Sequence, residues 1–325
     1  MKILITGNSM SYLSGQPLYC YELARELKRL GHEIEVRSDW NGFHGNDGHK
    51  LFENLSGEGI RPAGWDSTWL KKDFDLWLAS EEISMCVNGE IPNIPMINIV
   101  HSEYDCETPI MDRPFAWVCI RPSILDHIVE NHFIQKEKCH IIYNGVDRKR
   151  FKKGKKHKGN YNLTVVPCTF DPLREKFIRH CERLAGKMNH FHFYGSPDHA
   201  SIEIPEGKYV KVFPDTFNIE KAIAEADYVA GILLGRVNLE ANSCGVPSKI
   251  YDPVTLKNKI FLMPEKEFDK RHNIKNVAKQ LLKIYEDYKR SHSGNPSSQP
   301  TRPSSGSLKR YREVPSVDSE GWVVL

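Results

Sequence analysis

The first 36 residues of the chain are MKILITGNSMSYLSGQPLYCYELARELKRLGHEIEV (residues 1–36). The apolar run at 2–7 ends at a glycine, as a buried parallel strand does. Pro17 is typical of a first helical turn and Gly31 of a helix end, and apolar residues recur at helical spacing between them. A second apolar run begins at 33–36. The stretch therefore predicts a strand, a helix and a second strand.

The predicted helix has one apolar face and one charged face. Glu22 and Glu26 precede Arg25 and Arg29 by three residues, which is the spacing of ion pairs on a helix surface. We therefore expect both pairs to lie on the solvent-exposed side.

Strand-like apolar runs alternate with helical patterns along the rest of the chain, which predicts parallel βαβ units. The runs lie at 74–78, 96–100, 116–120, 140–143, 163–166, 191–195, 210–213, 228–233 and 248–251. A segment with eight Lys or Arg and no acid, 148–158, separates two sets of similar size. We therefore predict an α/β protein with two facing Rossmann-like domains, 1–147 and 161–290, joined by a basic linker at 148–160. The Ser- and Pro-rich end, 291–325, is expected to be disordered.

Composition limits the class of protein. The chain has 325 residues, of which 40% are hydrophobic and 27% charged, as in globular proteins. The net charge of +3 argues against a polyanion-binding protein. No apolar run is long enough for a membrane span, and the N-terminus lacks the apolar core of a secretory signal, so a cytoplasmic protein is expected. The eight cysteines form no CxxC motif of a zinc ribbon or redox site.

Several nucleotide-binding and catalytic motifs are missing from the sequence. No GxGxxG follows Gly7, and the chain has neither a phosphate-binding P-loop nor a GxSxG nucleophile elbow. His190 and His192 would share a strand face, but no third residue follows at metal-ligand spacing. Nicotinamide dehydrogenases, P-loop enzymes and α/β-hydrolases are therefore not supported, and no metal site is expected.

Three segments together have the order and spacing of a known family. They are SGQPLYCYELAREL at 14–27 with GHE at 31–33, IYNGVD at 142–147 with Phe151, and GRVNLEANSCGVP at 235–247. This combination resembles the GT-B glycosyltransferases of family 4, also called group 1. The resemblance implies transfer of a sugar from a UDP- or GDP-sugar with retention of anomeric configuration. It also implies that no metal or other cofactor is required.

The third segment supplies candidate donor-binding residues. Glu240 lies where a helix begins, and a carboxylate there can accept hydrogen bonds from both hydroxyls of a ribose. Backbone amides near Gly235 and Arg236 can bind phosphate at the same helix start. The alternative is that Glu240 is an ordinary acid of a first helical turn.

A basic pair is expected to bind the donor diphosphate. Lys176 matches the family's lysine, whereas the family's arginine position is Asp171, so Arg174 would have to substitute. Such cations would stabilise charge on the leaving diphosphate and are predicted to be catalytic, although a solvated helix start is the alternative. The resemblance is incomplete at Ile232, where the family usually has a glutamate that contacts the donor sugar. This departure suggests an unusual sugar, a relocated contact or lost activity.

Candidate residues of the first domain follow its strands. His101 follows the run at 96–100 and is predicted to face the sugar as a catalytic residue, although it could instead cap the local backbone. Gly15 matches a glycine loop that lets the donor approach the backbone. The acidic residues at 103, 105 and 107 could contact the acceptor. The segment 142–147 is expected to form a turn and fix the start of the linker.

The basic run from Arg148 to Lys158 is most simply interpreted as a solvated linker. The alternatives are contact with acidic membrane lipid, which would make the protein peripheral to the membrane, or with nucleic acid.

The function predicted from the sequence is that of a retaining glycosyltransferase of the hexosyltransferase type. The donor would bind mainly to the second domain and the acceptor to the first. The acceptor stays open between a glycan, a lipid, a protein, a small metabolite and modified DNA. The alternatives are a catalytically impaired nucleotide-binding or scaffold protein on the same fold, and a sugar-nucleotide epimerase.

Overall fold

The structure of the protein is a computed structural model. It describes residues 1–11, 13–39, 47, 49–64, 73–80, 94–102, 113–168, 174–195, 202–232 and 234–292, and the backbone of 316–317 and 323–324. The acidic residues at 103, 105 and 107, the residue at 171, and most of the predicted disordered end lie outside these ranges.

The first sheet has seven parallel strands. They are β1 (Lys2–Ser9), β2 (Glu33–Asp39), β3 (Arg61–Ala63), β4 (Leu76–Ser80), β5 (Met96–Val100), β6 (Ala116–Cys119) and β7 (Cys139–Ile141). Their spatial order is β3-β2-β1-β4-β5-β6-β7. The direction of winding therefore reverses between β1 and β4, and such a switch point opens a crevice at the carboxyl ends of the strands.

The second sheet has six strands with the same kind of reversal. They are β8 (Asn162–Pro167), β9 (Asn189–Gly195), β10 (Val210–Pro214), β11 (Tyr228–Ile232), β12 (Ser248–Tyr251) and β13 (Asn258–Phe261). The order is β10-β9-β8-β11-β12-β13, and only the pairing of β12 with β13 is antiparallel among them. The winding reverses between β8 and β11. The two sheets confirm the predicted α/β fold with two Rossmann-like units.

The described helices are α1 (Gly15–Arg29), α2 (His49–Gly57), α3 (Pro122–Asn131), α4 (Glu175–Leu184), α5 (Ile219–Glu225), α6 (Arg236–Ser243), α7 (Glu265–His272) and α8 (Ile274–His292). Six of them, α1 to α6, connect strands, and two more, α7 and α8, follow β13. Near the end of the chain, β14 (Ser316–Val317) pairs with β15 (Val323–Val324). None of the described helices combines the length and apolar content that a membrane-spanning helix requires.

Helix α1 forms and ends for the reasons apparent in its sequence. Leu23 and Leu27 lie one turn apart and are fully buried in the first core, so the apolar face faces the sheet. The chain leaves the helix at Gly31, whose φ of 90° suits glycine. The last turn carries Lys28 and Arg29, which favour the negative end of the helix dipole.

Helix α8 returns to the first domain. Val277 and Leu281 are fully buried, and they belong to the same hydrophobic cluster as the residues of α1 and the first sheet. The sequence-based range 161–290 groups this helix with the second domain, so the end of the chain crosses back in space. A crossing chain adds apolar contacts between the two halves of the molecule.

The chain makes this crossing beside Gly145. Val146 donates its N–H to the carbonyl of His272 at 2.8 Å and accepts a hydrogen bond from the N–H of Ile274 at 3.2 Å. A Cβ atom on Gly145 would lie 2.7 Å from Cδ1 and 2.8 Å from Cα of Ile274. The backbone there leaves no room for a side chain.

We expect Gly145→Ala to destabilise the protein by about 1–3 kcal/mol, because the new methyl group would overlap a backbone atom. The matched control is Gly57→Ala, since nothing lies within 4 Å of a Cβ at that site. Thermal unfolding should show a clearly lower midpoint for the first variant and an equal or higher midpoint for the second. Equal midpoints for the two variants would contradict this packing argument.

Candidate active site

The carboxyl ends of β8 and β11 meet at the switch point of the second sheet, where open α/β sheets bind ligands. Arg174 and Lys176 follow β8 at the start of α4, and Gly235 and Arg236 follow β11 at the start of α6. Four of the predicted donor-binding residues therefore lie on the two connections that flank this crevice.

The N-terminus of α6 is capped by a side chain of the same helix. Asn238, which is fully buried, accepts a hydrogen bond from the N–H of Gly235 on Oδ1 at 3.1 Å. The amide of Gly235 is thus already bonded in this structure. Its predicted contact with phosphate stays a prediction.

Arg236 and Glu240 form a buried pair one turn apart on α6. The Nε atom of Arg236 donates to Oε1 of Glu240 at 2.8 Å, and the side chains are only 5% and 4% exposed. Nη2 of the same guanidinium lies 2.6 Å from Oε2 of Glu22, and Nη1 donates to the carbonyl of Gly145 at 3.1 Å. Glu22 belongs to α1 of the first domain, so this cluster joins the two domains.

The charges in the cluster shift its acid–base behaviour. Burial alone would lower the pKa of Arg236, but Glu22 and Glu240 together raise it, so the guanidinium stays charged. Burial raises the pKa of Glu240. The positive charge of Arg236 lowers the pKa of Glu240, and the like charge of Glu22 raises it, so the net pKa stays above its ordinary value.

The expected solvent exposure of Glu22 is wrong. Its side chain is fully buried, and it pairs with Arg236 and, at 3.4 Å, with Arg150 of the linker. Arg25, the partner expected from helical spacing, instead contacts Glu58 at 2.6 Å. The spacing rule describes neighbours on an isolated helix, whereas the second domain covers this part of α1.

The pair of Glu26 and Arg29 forms as expected, with Nη1 of Arg29 3.2 Å from Oε2 of Glu26. The expected exposure of Glu26 is also wrong, because its side chain is only 7% exposed. The same guanidinium nitrogen reaches Asp147 at 3.1 Å, and the contact with the start of the linker covers this turn of α1.

Two predicted residues of the first domain lie next to Arg236. A Cβ on Gly15 would lie 3.9 Å from Cβ of Arg236, which brings the starts of α1 and α6 together. His101 follows β5 at the same edge, with Nε2 2.9 Å from Oγ of Ser80 and its ring edge-on to Tyr19 at 4.8 Å. The switch points of the two sheets therefore face each other here.

His101 is held neutral by its surroundings. Burial lowers the pKa of His101 to about 3, and the positive charges of Arg236 and Arg121 act in the same direction. A neutral imidazole can accept one hydrogen bond and donate one, but it carries no charge for a phosphate. Such a ring suits a hydrogen-bonding role toward a sugar hydroxyl.

The predicted basic pair is placed apart from the buried cluster. Lys176 is exposed and donates from Nζ to the carbonyl of Val254 at 2.6 Å, in the loop that follows β12. Arg174 occupies the N-cap position of α4. Gly15, His101, Arg236 and Glu240 thus come together, whereas Arg174 and Lys176 lie at the start of α4.

The linker is ion-paired in the structure. Arg148 contacts Glu265 at 2.8 Å and Asp269 at 2.7 Å. Arg150 reaches Glu22 and Glu220 at 3.4 Å each, and its guanidinium lies 4.2 Å from the ring centroid of Phe217. These arginines hold the linker against acidic groups of the protein, which reduces the positive charge available to lipid or nucleic acid.

The role expected of Asp147 agrees with the structure, whereas the turn expected at Asn144 and Gly145 is wrong, because the turn lies at 148–150. Oδ1 of Asp147 accepts a hydrogen bond from the N–H of Lys149 at 2.9 Å. The N–H of Asp147 donates to Oε2 of Glu22 at 2.7 Å. Asp147 therefore fixes the start of the linker and ties it to α1.

A further contact between the domains involves a residue that sequence reasoning missed. Oδ2 of Asp47 accepts hydrogen bonds from the N–H of Phe217 at 2.8 Å and from Oγ1 of Thr216 at 3.2 Å. The Phe217 ring is edge-on to Tyr21 of α1 at 5.4 Å. No local pattern marks Asp47, because its partners are about 170 residues away in the chain.

Comparison with known families adds a match over the first part of the chain. Residues 13–150 match the model of Glycosyltransferase Family 4. The chain has a GT-B fold, and its first part is similar to glycosyltransferase family 4. The matched range includes two of the three segments that carry the resemblance, 14–33 and 142–147, and agrees with it.

Solved structures share the fold of this GT-B protein at low sequence identity. HepE of Anabaena in complex with UDP-glucose is 14% identical, with a TM-score of 0.64 over 88% of this chain and 100% of that chain. A glycosyltransferase from Rickettsia africae is 13% identical, with a TM-score of 0.63 over 88% and 98%. The lipopolysaccharide outer core galactosyltransferase WaaB is 12% identical, with a TM-score of 0.52 over 90% and 99%. Comparison with curated protein sequences gives no significant match.

Within the described ranges, no group of three or more His, Cys, Asp or Glu side chains is arranged to hold a metal ion.

We expect His101 to stay neutral down to about pH 4, because its pKa is lowered to about 3. The unfolded state takes up this proton near pH 6.5. His101 therefore favours the folded state above pH 6.5, and this contribution is lost as the pH falls from 6.5 toward 3. An NMR titration of the histidine ring signals, with His101→Asn to assign the peak, should show no change for His101 between pH 8 and 5. A midpoint near 6.5 would contradict the described environment.

Proposed function

We propose that this protein transfers a sugar from a nucleotide-diphosphate donor to an acceptor with retention of anomeric configuration. One observation carries the proposal. The switch points of two Rossmann-like sheets face each other, with Gly15 and His101 on one side and Arg236 and Glu240 on the other. A cleft of this kind can hold a donor against one domain and an acceptor against the other.

The second domain, 161–290, is proposed to hold the donor. Glu240 would accept hydrogen bonds from the two ribose hydroxyls, and Arg174 and Lys176 would bind the diphosphate from the β8 side. Positive charge at that position would stabilise the charge that develops on the departing diphosphate. UDP-sugars are the first donors to test, because the related fold of HepE was solved with UDP-glucose.

The first domain, 1–147, is proposed to hold the acceptor. His101 would face the donor sugar as a neutral hydrogen-bonding group, consistent with its lowered pKa. Gly15 would let the donor and acceptor approach the backbone of α1. Catalysis would then depend on positioning and electrostatics in a closed cleft.

Ile232 is the residue that favours a second candidate function. It ends β11 at the switch point and offers no polar group to a donor sugar. A protein with this residue could bind nucleotide without transferring a sugar. Turnover of the donor distinguishes the enzyme from such a binding protein.

The first experiment is a thermal-shift panel with UDP, GDP, ADP, dTDP, CMP and their common sugar conjugates. A ligand at 100 times its dissociation constant stabilises the folded state by about 2.7 kcal/mol. We expect a shift with UDP and UDP-sugars, followed by donor turnover and an axial or equatorial product bond that matches the donor. No shift with any of these compounds would contradict donor binding.

Glu240→Gln should raise the dissociation constant of UDP about tenfold or more, because a neutral amide makes weaker hydrogen bonds to the ribose hydroxyls than a carboxylate. Titration calorimetry with UDP and UDP-glucose measures this change. The control is Glu267→Gln on α7, a half-exposed residue paired with Arg271, which should bind UDP as the unmodified protein does. An unchanged dissociation constant in Glu240→Gln would remove the ribose role from this residue.

A further inference from the structure

Glu22 is buried on the first domain and contacts groups of three other segments. Its side chain is fully buried, and Oε2 lies 2.6 Å from Nη2 of Arg236 on α6. The same oxygen accepts the N–H of Asp147 at 2.7 Å, and Oε1 lies 3.4 Å from Nη1 of Arg150. A carboxylate in such a place costs desolvation, which only several good partners can offset.

The three nitrogens of the Arg236 guanidinium have separate partners. Nε binds Oε1 of Glu240, Nη1 binds the carbonyl of Gly145, and Nη2 faces Oε2 of Glu22. Nε and Nη1 donate hydrogen bonds and Nη2 makes an ion-pair contact, so the rigid, planar guanidinium is held by three partners in one orientation. In this orientation the guanidinium contacts Glu240 through Nε.

The orientation of Arg236 decides how Glu240 can act. A guanidinium engaged through a single nitrogen occupies one carboxylate oxygen, whereas a guanidinium engaged through two nitrogens chelates both. The pull of Glu22 on Nη2 keeps Arg236 in the first arrangement. Without that charge, Arg236 can turn and chelate Glu240, which would compete with the two hydroxyls of a ribose.

We propose that Glu22 is a positioning residue for the donor ribose, which it serves from the opposite domain by holding Arg236 away from full chelation of Glu240. This assignment rests on the proposed donor role of Glu240. In this proposal Glu22 acts through Arg236 and does not itself contact the donor. The second domain would then prefer a ribonucleotide over a 2′-deoxynucleotide, and this preference would depend on Glu22 of the first domain.

The chain offers a closely matched control. Glu26 lies one turn further along α1, is also buried, and pairs with Arg29 at 3.2 Å. It belongs to the first domain and the linker contact, away from α6. Glu22→Gln and Glu26→Gln therefore remove the same charge from the same helix, and only the first change affects Arg236.

The test measures dissociation constants of UDP and 2′-deoxy-UDP by titration calorimetry for the unmodified protein and both variants. The ratio of the two constants reports the contact with the ribose hydroxyl that only UDP has. We expect about a tenfold preference for UDP in the unmodified protein and in Glu26→Gln. The preference should fall to about twofold or less in Glu22→Gln, with the circular dichroism spectrum unchanged. General destabilisation would weaken both ligands together and leave the ratio unchanged.

The outcomes separate this proposal from the proposed function. A Glu22→Gln protein that keeps the preference, or a Glu26→Gln protein that loses it as well, would overturn the role of Glu22 alone. An unmodified protein that binds neither nucleotide would overturn the donor site and this assignment with it. If Glu22→Gln does not fold, Glu22→Asp takes its place. That change retains the charge but shortens the side chain, so the preference should fall to an intermediate value.

Discussion

The buried guanidinium of Arg236 is the interaction on which the arrangement of the two domains depends. It is nearly inaccessible to solvent and lies between a carboxylate of its own helix and one from the other domain. Removing one partner of a buried ion pair typically costs about 3–5 kcal/mol, because the remaining charge is left without compensation. The second arginine, Arg150, balances the second carboxylate, so the cluster of Glu22, Glu240, Arg150 and Arg236 is neutral as a whole.

The same cluster lies at the carboxyl ends of the strands, beside the switch points of the two sheets. Parallel strands place their carboxyl ends along one edge, and reversal of winding opens a crevice there. The connections after β1 and β5 therefore bring Gly15 and His101 to the edge of one sheet, and the connection after β11 brings Arg236 to the edge of the other. The charge of Arg236 reaches His101 and helps to keep its ring neutral. Arg236 thus both joins the two domains and belongs to the candidate site.

Local patterns predicted much of the fold because they depend on near neighbours in the chain. The apolar run that forms β1, the helical spacing that forms α1 and the glycine that ends α1 were all apparent in the sequence. The spacing also suggested that Glu22 would form a surface pair with Arg25. That expectation was wrong, because the second domain covers Glu22 and Arg25 pairs with Glu58. A helical pattern reports which residues share a face, but it does not report what covers that face.

The sequence by itself determined the class of fold, the two series of strands and the residues that resemble those of family 4 glycosyltransferases. The tertiary structure decided which of those residues meet. Arg236 pairs with Glu22 across the domains and with Glu240 on its own helix. Helix α8 packs against the first core. The physical reason is that propensity and periodicity act over a few residues. Burial and ion pairing join groups that are more than 200 residues apart, as Glu22 and Arg236 are. Such contacts depend on how the whole chain closes upon itself.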